Sequence, residues 1–70
     1  MKFTFAEQLK EARREVAMRK SVYPRWIAAR RMTETKAAEQ IALMEAIAAT
    51  LEPLAEQEQE QIAPSLFANQ

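Results

Sequence analysis

The sequence contains no cysteine, no histidine and no glycine among its 70 residues. Without Cys there is no disulfide and no thiol nucleophile, and without His there is no imidazole base for a Ser-His-Asp triad. Without Gly there is no P-loop and no dinucleotide-binding fingerprint. The glutamates lack the spacing of a calcium loop and have no His beside them. We therefore predict no metal site, no cofactor and no enzymatic activity.

Few residues are β-branched, and no apolar run approaches the ~20 residues of a membrane span. Ala, Glu, Gln, Arg and Leu dominate, and all are strong helix formers, so the composition predicts an all-α protein. The first nine residues do not resemble a signal peptide. The expected location is the cytoplasm, with no membrane partner.

A chain this short rarely completes a hydrophobic core alone. Disulfides are excluded and metal is not expected, which leaves self-association as the favoured route. We therefore expect a homo-oligomer, most simply a dimer.

The spacing of apolar residues predicts a single helical domain over residues 1–63. Thr4 with Glu7 fits a capping box, and Thr33 resembles a second N-cap. A proline inside a helix removes a hydrogen bond and clashes with the preceding turn, so Pro24 and Pro53 are expected to separate helices. The predicted helices cover 5–20, 24–31, 34–52 and 54–61, followed by a flexible tail over 64–70.

These segments predict an antiparallel helical hairpin with a short corner helix, completed by homo-oligomerisation. Apolar residues at helical spacing form the predicted core or oligomer contact. They are Phe5, Leu9, Val16, Ile41, Met44, Ile47, Leu51 and Leu54.

Charge divides the chain into two opposed halves. Residues 1–31 hold nine basic and three acidic residues, net +6, and residues 32–70 hold one basic and seven acidic residues, net −6. The split has two interpretations: a basic helix paired with an acidic one, within the chain or across a dimer, or a basic face that binds anions.

The segment from Arg19 to Trp26 combines basic residues with the only Tyr and the only Trp. Arg beside aromatic rings suits a nucleotide or nucleic acid, because guanidinium pairs with phosphate and rings stack on bases. The same residue types dominate protein-binding hot spots. Alternatively, the two rings simply cap the core at a helix corner, with Arg stems covering them. The candidate binding residues are Arg19, Lys20, Tyr23, Arg25, Trp26, Arg30 and Arg31.

The sequence MRKSVYPRWIAARRMT, residues 18–33, resembles a segment found in small uncharacterised proteins of bacteriophages and prophages. The stretch AAEQIALMEAI, residues 37–47, is similar to the second helix of the same family. The resemblance spans roughly residues 7–52, and its Met-Arg-x-x-Val-Tyr-Pro-x-Trp core is fairly specific. Before the Arg31–Met32 pair it leads us to expect Gly, where this chain has Arg30. It implies a phage setting and no established activity.

The leading hypothesis is a non-enzymatic phage accessory protein that binds a host factor, of the host take-over or anti-defence type, through a helical surface. The first alternative is nucleotide or nucleic-acid binding through the basic-aromatic segment. The second is a structural or assembly role in which the charge split serves self-association.

Overall fold

The computed structural model describes the backbone of residues 2–68 and the side chains of residues 2–61. The chain forms two helices, α1 (Phe5–Ala28) and α2 (Glu34–Ala68), which pack against each other. Interhelical contacts pair early residues of α1 with late residues of α2, from Phe5–Glu58 to Lys20–Glu45. The predicted all-α antiparallel hairpin is confirmed.

The two helices meet along a seam in which inward positions alternate at spacings of four and three. The most buried residues are Leu9, Ala12 and Tyr23 of α1 and Ala37 of α2. Ala12 and Ala37 have no side chain beyond Cβ, so the two backbones can approach closely there. Of the predicted core, Leu9 is buried and Ile47 is exposed. The others are half-buried: Phe5, Val16, Ile41, Met44, Leu51 and Leu54.

Three side chains satisfy the free N–H groups at the start of α1. The Thr4 hydroxyl accepts from the Glu7 backbone N–H at 3.0 Å, and the Glu7 carboxylate accepts from the Thr4 N–H at 3.1 Å, which confirms the capping box. The Glu58 carboxylate of α2 accepts from the N–H groups of Phe5 at 3.0 Å and Ala6 at 3.3 Å. A carboxylate at this end also complements the helix dipole. The end of α2 is thereby fastened to the start of α1.

Two predicted helix boundaries are wrong. α1 continues through Pro24, so there is no separate corner helix over 24–31, and α2 continues through Pro53 into the region predicted as a fourth helix. Both prolines are exposed, so the carbonyl that loses its helical donor at each can bind water instead. Continuing α1 also keeps Tyr23 and Ile27, four residues apart, on the seam.

The predicted flexible tail over 64–70 falls partly within α2. The backbone of residues 64–68 continues that helix. Residues 69–70 lie outside the described residues.

The bend between the helices closes α1 with a Schellman motif that has no glycine. The Arg31 N–H donates to the Trp26 carbonyl at 2.8 Å, and the Arg30 N–H donates to the Ile27 carbonyl at 3.0 Å. Arg30 has φ 60°, the left-handed conformation that Gly adopts most readily. At the other side of the bend, the Thr33 hydroxyl accepts from the Lys36 N–H at 3.1 Å, which confirms Thr33 as the N-cap of α2.

Arg30→Gly is expected to stabilise the hairpin, because a residue with a Cβ pays a steric penalty at positive φ. The free energy of unfolding should rise by about 0.5–1 kcal/mol, less than the full penalty since Gly gains entropy when unfolded. Urea denaturation monitored by circular dichroism measures the change. Arg31→Gly is the matched control, because Arg30 has positive φ in the bend and Arg31 does not. Equal or opposite effects of the two variants would contradict this account.

The hairpin is a rod of 59 × 18 × 14 Å. Its accessible surface is 5669 Å². A compact monomer of 8.0 kDa exposes about 4,500 Å², so the protomer leaves roughly a quarter more surface in water than its mass requires.

Candidate functional site: a cationic bend

Tyr23 and Trp26 stack on each other near the C-terminal end of α1. Their ring centroids are 5.5 Å apart and their planes differ by 29°. Tyr23 is only 9% exposed, whereas Trp26 is 43% exposed. Tyr23 therefore belongs to the seam and Trp26 to the surface, with the buried ring supporting the exposed one. Tyr23 thus caps the core, and the exposed face of the Trp26 ring is accessible to a binding partner.

Arg19 and Lys20 are engaged within the hairpin. Arg19, which is half-buried, donates through Nε to Glu15 at 2.9 Å and through Nη1 to the Gln40 carbonyl of α2 at 2.8 Å. Lys20 pairs with Glu45 of α2 at 3.3 Å. These two candidate binding residues thus join the helices.

A second interhelical pair, Arg13–Glu52 at 2.7 Å, lies about two turns nearer the start of α1 than Lys20–Glu45. Together with Lys20–Glu45 it shows that part of the charge split is matched within the chain. Both pairs are exposed, so each contributes little to stability, and their effect is chiefly on register and orientation.

The remaining candidate cations cluster at the bend. Arg25, Arg30 and Arg31 are exposed, and in the part of the chain that the structure describes their side chains make no ion pair or hydrogen bond. Lys36, one turn into α2, joins them. An open groove of about 580 Å³ runs between the helix ends, lined by Ile27, Arg30, Arg31, Met32, Thr33 and Lys36. We call the set Arg25, Trp26, Arg30, Arg31 and Lys36 the cationic bend.

Neither Lys36 nor the groove belongs to the site predicted from the sequence. The N-cap predicted at Thr33 could have indicated Lys36, because it places Lys36 on the first turn of α2, beside the residues of the bend. The groove itself depends on the Schellman motif, which the sequence did not indicate because Gly is absent.

The cationic bend can hold anions and apolar groups. Guanidinium groups bind carboxylate or phosphate oxygens in pairs, and the Trp26 ring offers apolar area. It contains no carboxylate, thiol or imidazole that could act as a base or nucleophile. Among the described residues no group of three Asp, Glu, His or Cys side chains lies close enough to hold a metal ion. The arrangement suits the binding of anions and apolar groups.

Outside the cationic bend, Glu11 and Arg14 form an ion pair within α1. The Arg14 guanidinium donates to Glu11 at 3.1 Å, and this hydrogen bond lowers the pKa of Glu11 and raises the pKa of Arg14. The pair is fully exposed and local to α1. A cation there is already satisfied, in contrast with the arginines of the bend.

No protein-family model, curated protein or solved structure matches this chain. Within the described residues, neither helix has a stretch that is both long and apolar enough to cross a lipid bilayer. The binding capacity of the bend therefore has to be inferred from its own side chains.

Proposed function

We propose that the protein is a non-enzymatic phage accessory protein that binds a host protein in the bacterial cytoplasm through its cationic bend. The observation that carries this proposal is Trp26: its ring is 43% exposed, yet it is stacked on buried Tyr23 and flanked by arginines without partners. An exposed ring already held in one position loses little conformational entropy on binding.

The partner surface that fits is an acidic patch around an apolar pocket. Trp and Arg are the residue types that contribute most to protein-binding hot spots. Arg25, Arg30 and Arg31 surround the ring in sequence and have no counter-charge of their own among the described residues. Opposite charge on the partner would steer the encounter and fix its orientation.

The phage setting comes from the resemblance of residues 18–33. That segment contains Tyr23, Trp26 and most of the bend's cations, so the part of the chain that carries the resemblance also carries the site. A host take-over or anti-defence role is the form of this function that we favour.

Trp26→Ala is expected to weaken partner binding at least tenfold, because it removes the central apolar anchor. The measurement is affinity capture from host lysate, followed by titration of the captured protein with purified components. Lys10→Ala serves as the control, since Lys10 is an exposed cation on the opposite half of α1. The proposal fails if the folded wild-type protein enriches nothing over Trp26→Ala.

A phosphate-bearing ligand, such as a nucleic acid or nucleotide, is the second candidate. The observation that favours it is the groove, where Arg30, Arg31 and Lys36 converge beside the start of α2. Binding of this kind falls steeply with salt and is lost gradually as each cation is removed. Fluorescence anisotropy with labelled DNA and RNA at low salt distinguishes the two candidates.

Self-association is the third part of the proposal, with a dimer favoured. The surplus of exposed surface described above supports it, because two-helix hairpins bury too little to be stable alone. A structural or assembly role would require only this part.

A further inference from the structure

The hairpin has an exposed apolar face formed by Met18 of α1 and Leu43 and Ile47 of α2. These side chains are 43%, 55% and 43% exposed. Such residues scattered singly need no explanation, but here Met18 and Ile47 lie at the same level of two packed helices, and Leu43 lies one turn from Ile47 toward the bend. Half-buried Val22 and Leu54 extend the same face.

Ion pairs mark the opposite side of the rod. At about 100° per residue, Met18 lies about 140–160° around α1 from Arg13 and Lys20. Leu43 and Ile47 lie at a similar angle from Glu45 on α2. Since Arg13–Glu52 and Lys20–Glu45 bridge the helices on one side, the apolar residues must lie on the other. The rod therefore has one side with interhelical ion pairs and a second side where Met18, Leu43 and Ile47 are exposed, bordered on α1 by the Glu11–Arg14 pair.

The apolar face is centred on the midpoint of the hairpin. The register set by Arg13–Glu52 and Lys20–Glu45 places Met18 opposite Ile47. That level is close to the middle of α1, which runs from Phe5 to Ala28.

The two ends of the rod carry opposite charge. The bend end, residues 19–46, holds six basic and three acidic residues, net +3. The open end, residues 2–18 with 47–61, holds four basic and seven acidic residues, net −3.

We propose that a second copy of this chain covers the apolar face in an antiparallel arrangement, which forms a four-helix bundle. A two-fold axis through the Met18–Ile47 level places the apolar residues of both copies together. The positive bend of each copy then lies beside the negative open end of the other. A parallel pair would set like charges side by side at both ends, which disfavours it.

The available area fits a dimer. The 24 residues of α1 extend about 36 Å at 1.5 Å per residue, and the rod is 18 Å wide. The face therefore offers roughly 650 Å² in projection, near the ~800 Å² per partner of a stable interface. The arrangement rests on the proposed self-association and is independent of the proposed host binding.

The first experiment is sedimentation velocity on the whole chain and on Ile47→Glu. We expect a dimer for the wild type and at least a hundredfold higher dissociation constant for the variant, because a buried carboxylate lacks a partner there. Ala46→Glu is the matched control, since Ala46 is exposed on the back of the same turn of α2. Circular dichroism verifies that each variant is helical. A monomeric wild type overturns both the self-association and this arrangement.

The second experiment tests the direction of pairing and uses the absence of native cysteine. Copies carrying Arg31→Cys are mixed with copies carrying Glu60→Cys and treated with a short bismaleimide. The antiparallel bundle predicts crosslinks between the two variants in excess over crosslinks within either one. A dimer that crosslinks Arg31→Cys mainly to itself overturns the arrangement and leaves self-association intact. Neither experiment depends on host capture by Trp26, so a failure of the proposed host binding would be distinguished from a failure of this arrangement.

Discussion

Tyr23→Ala is expected to cost the hairpin about 3 kcal/mol of unfolding free energy, at the lower end of the range for truncating a buried aromatic side chain. Tyr23 is the largest of the four buried side chains and supports the Trp26 ring at 5.5 Å. A chain of 70 residues at the usual 0.05–0.15 kcal/mol per residue has only about 4–10 kcal/mol in total. The variant should therefore lose most of its cooperative transition in urea.

Two controls separate ring burial from other effects of the substitution. No buried polar side-chain atom among the described residues lacks a partner, so the Tyr23 hydroxyl is not stranded in the seam, and Tyr23→Phe should be nearly neutral. Trp26→Ala should cost clearly less, because its ring is exposed. All three must be compared at one protein concentration, since self-association adds to apparent stability. Similar losses for Tyr23→Ala and Trp26→Ala would contradict the assignment of the two rings.

Glu58→Ala is expected to have the second largest effect, about 2 kcal/mol. The half-buried carboxylate accepts from the N–H groups of both Phe5 and Ala6, and hydrogen bonds to a charged group contribute about 1.5–3 kcal/mol. Removing it leaves two donors of α1 without a protein acceptor and detaches the open end of α2. Thermal and urea unfolding measure the loss.

Glu56→Ala is the matched control, because Glu56 is exposed on the same segment of α2 and makes no hydrogen bond or ion pair with the described residues. Glu58→Gln separates charge from shape: the amide retains one acceptor and loses the negative charge, so an intermediate loss is expected. An unfolding free energy that is equal for Glu56→Ala and Glu58→Ala would show that the cap contributes nothing.

Much of the fold followed from local signals. The capping box at Thr4 and the N-cap at Thr33 are defined by neighbours three residues away, and both form as predicted. Pro24 and Pro53 were predicted to separate helices because a proline inside a helix removes a hydrogen bond. The sequence does not show that both prolines are exposed, so that water can bind the carbonyl left without a helical donor. Only the tertiary seam determines that, since it keeps Tyr23 and Ile27 on the inner side of a continuous helix.

The sequence predicted most residues of the candidate site, but not which of them are engaged within the hairpin and which are exposed. Seven residues were named together, and the structure engages Arg19 and Lys20 in contacts with α2 and buries Tyr23. Such partners lie some twenty residues away in sequence, and no spacing rule within α1 indicates them. The exposed residues of the cationic bend come together with Lys36 only through the geometry of the bend, which the sequence does not predict.

The sequence also did not predict that Glu58 caps the start of α1. This residue lies in a repetitive Glu-Gln segment in which Glu58 and Glu60 have the same two neighbours, so only the register of the hairpin selects Glu58 as the cap. The same register explains why Glu45 and Glu52 pair with basic residues and Glu56 does not.

The opposed charges of the two ends alter what a formal net charge of zero means for this molecule. Salt screens electrostatic potentials over about 8 Å at physiological ionic strength, whereas the rod is 59 Å long. A molecule that approaches one end therefore responds to that end alone, and the two potentials do not cancel at either. A single copy in solution therefore behaves as a cation at its bend and as an anion at its open end, although its overall charge is neutral.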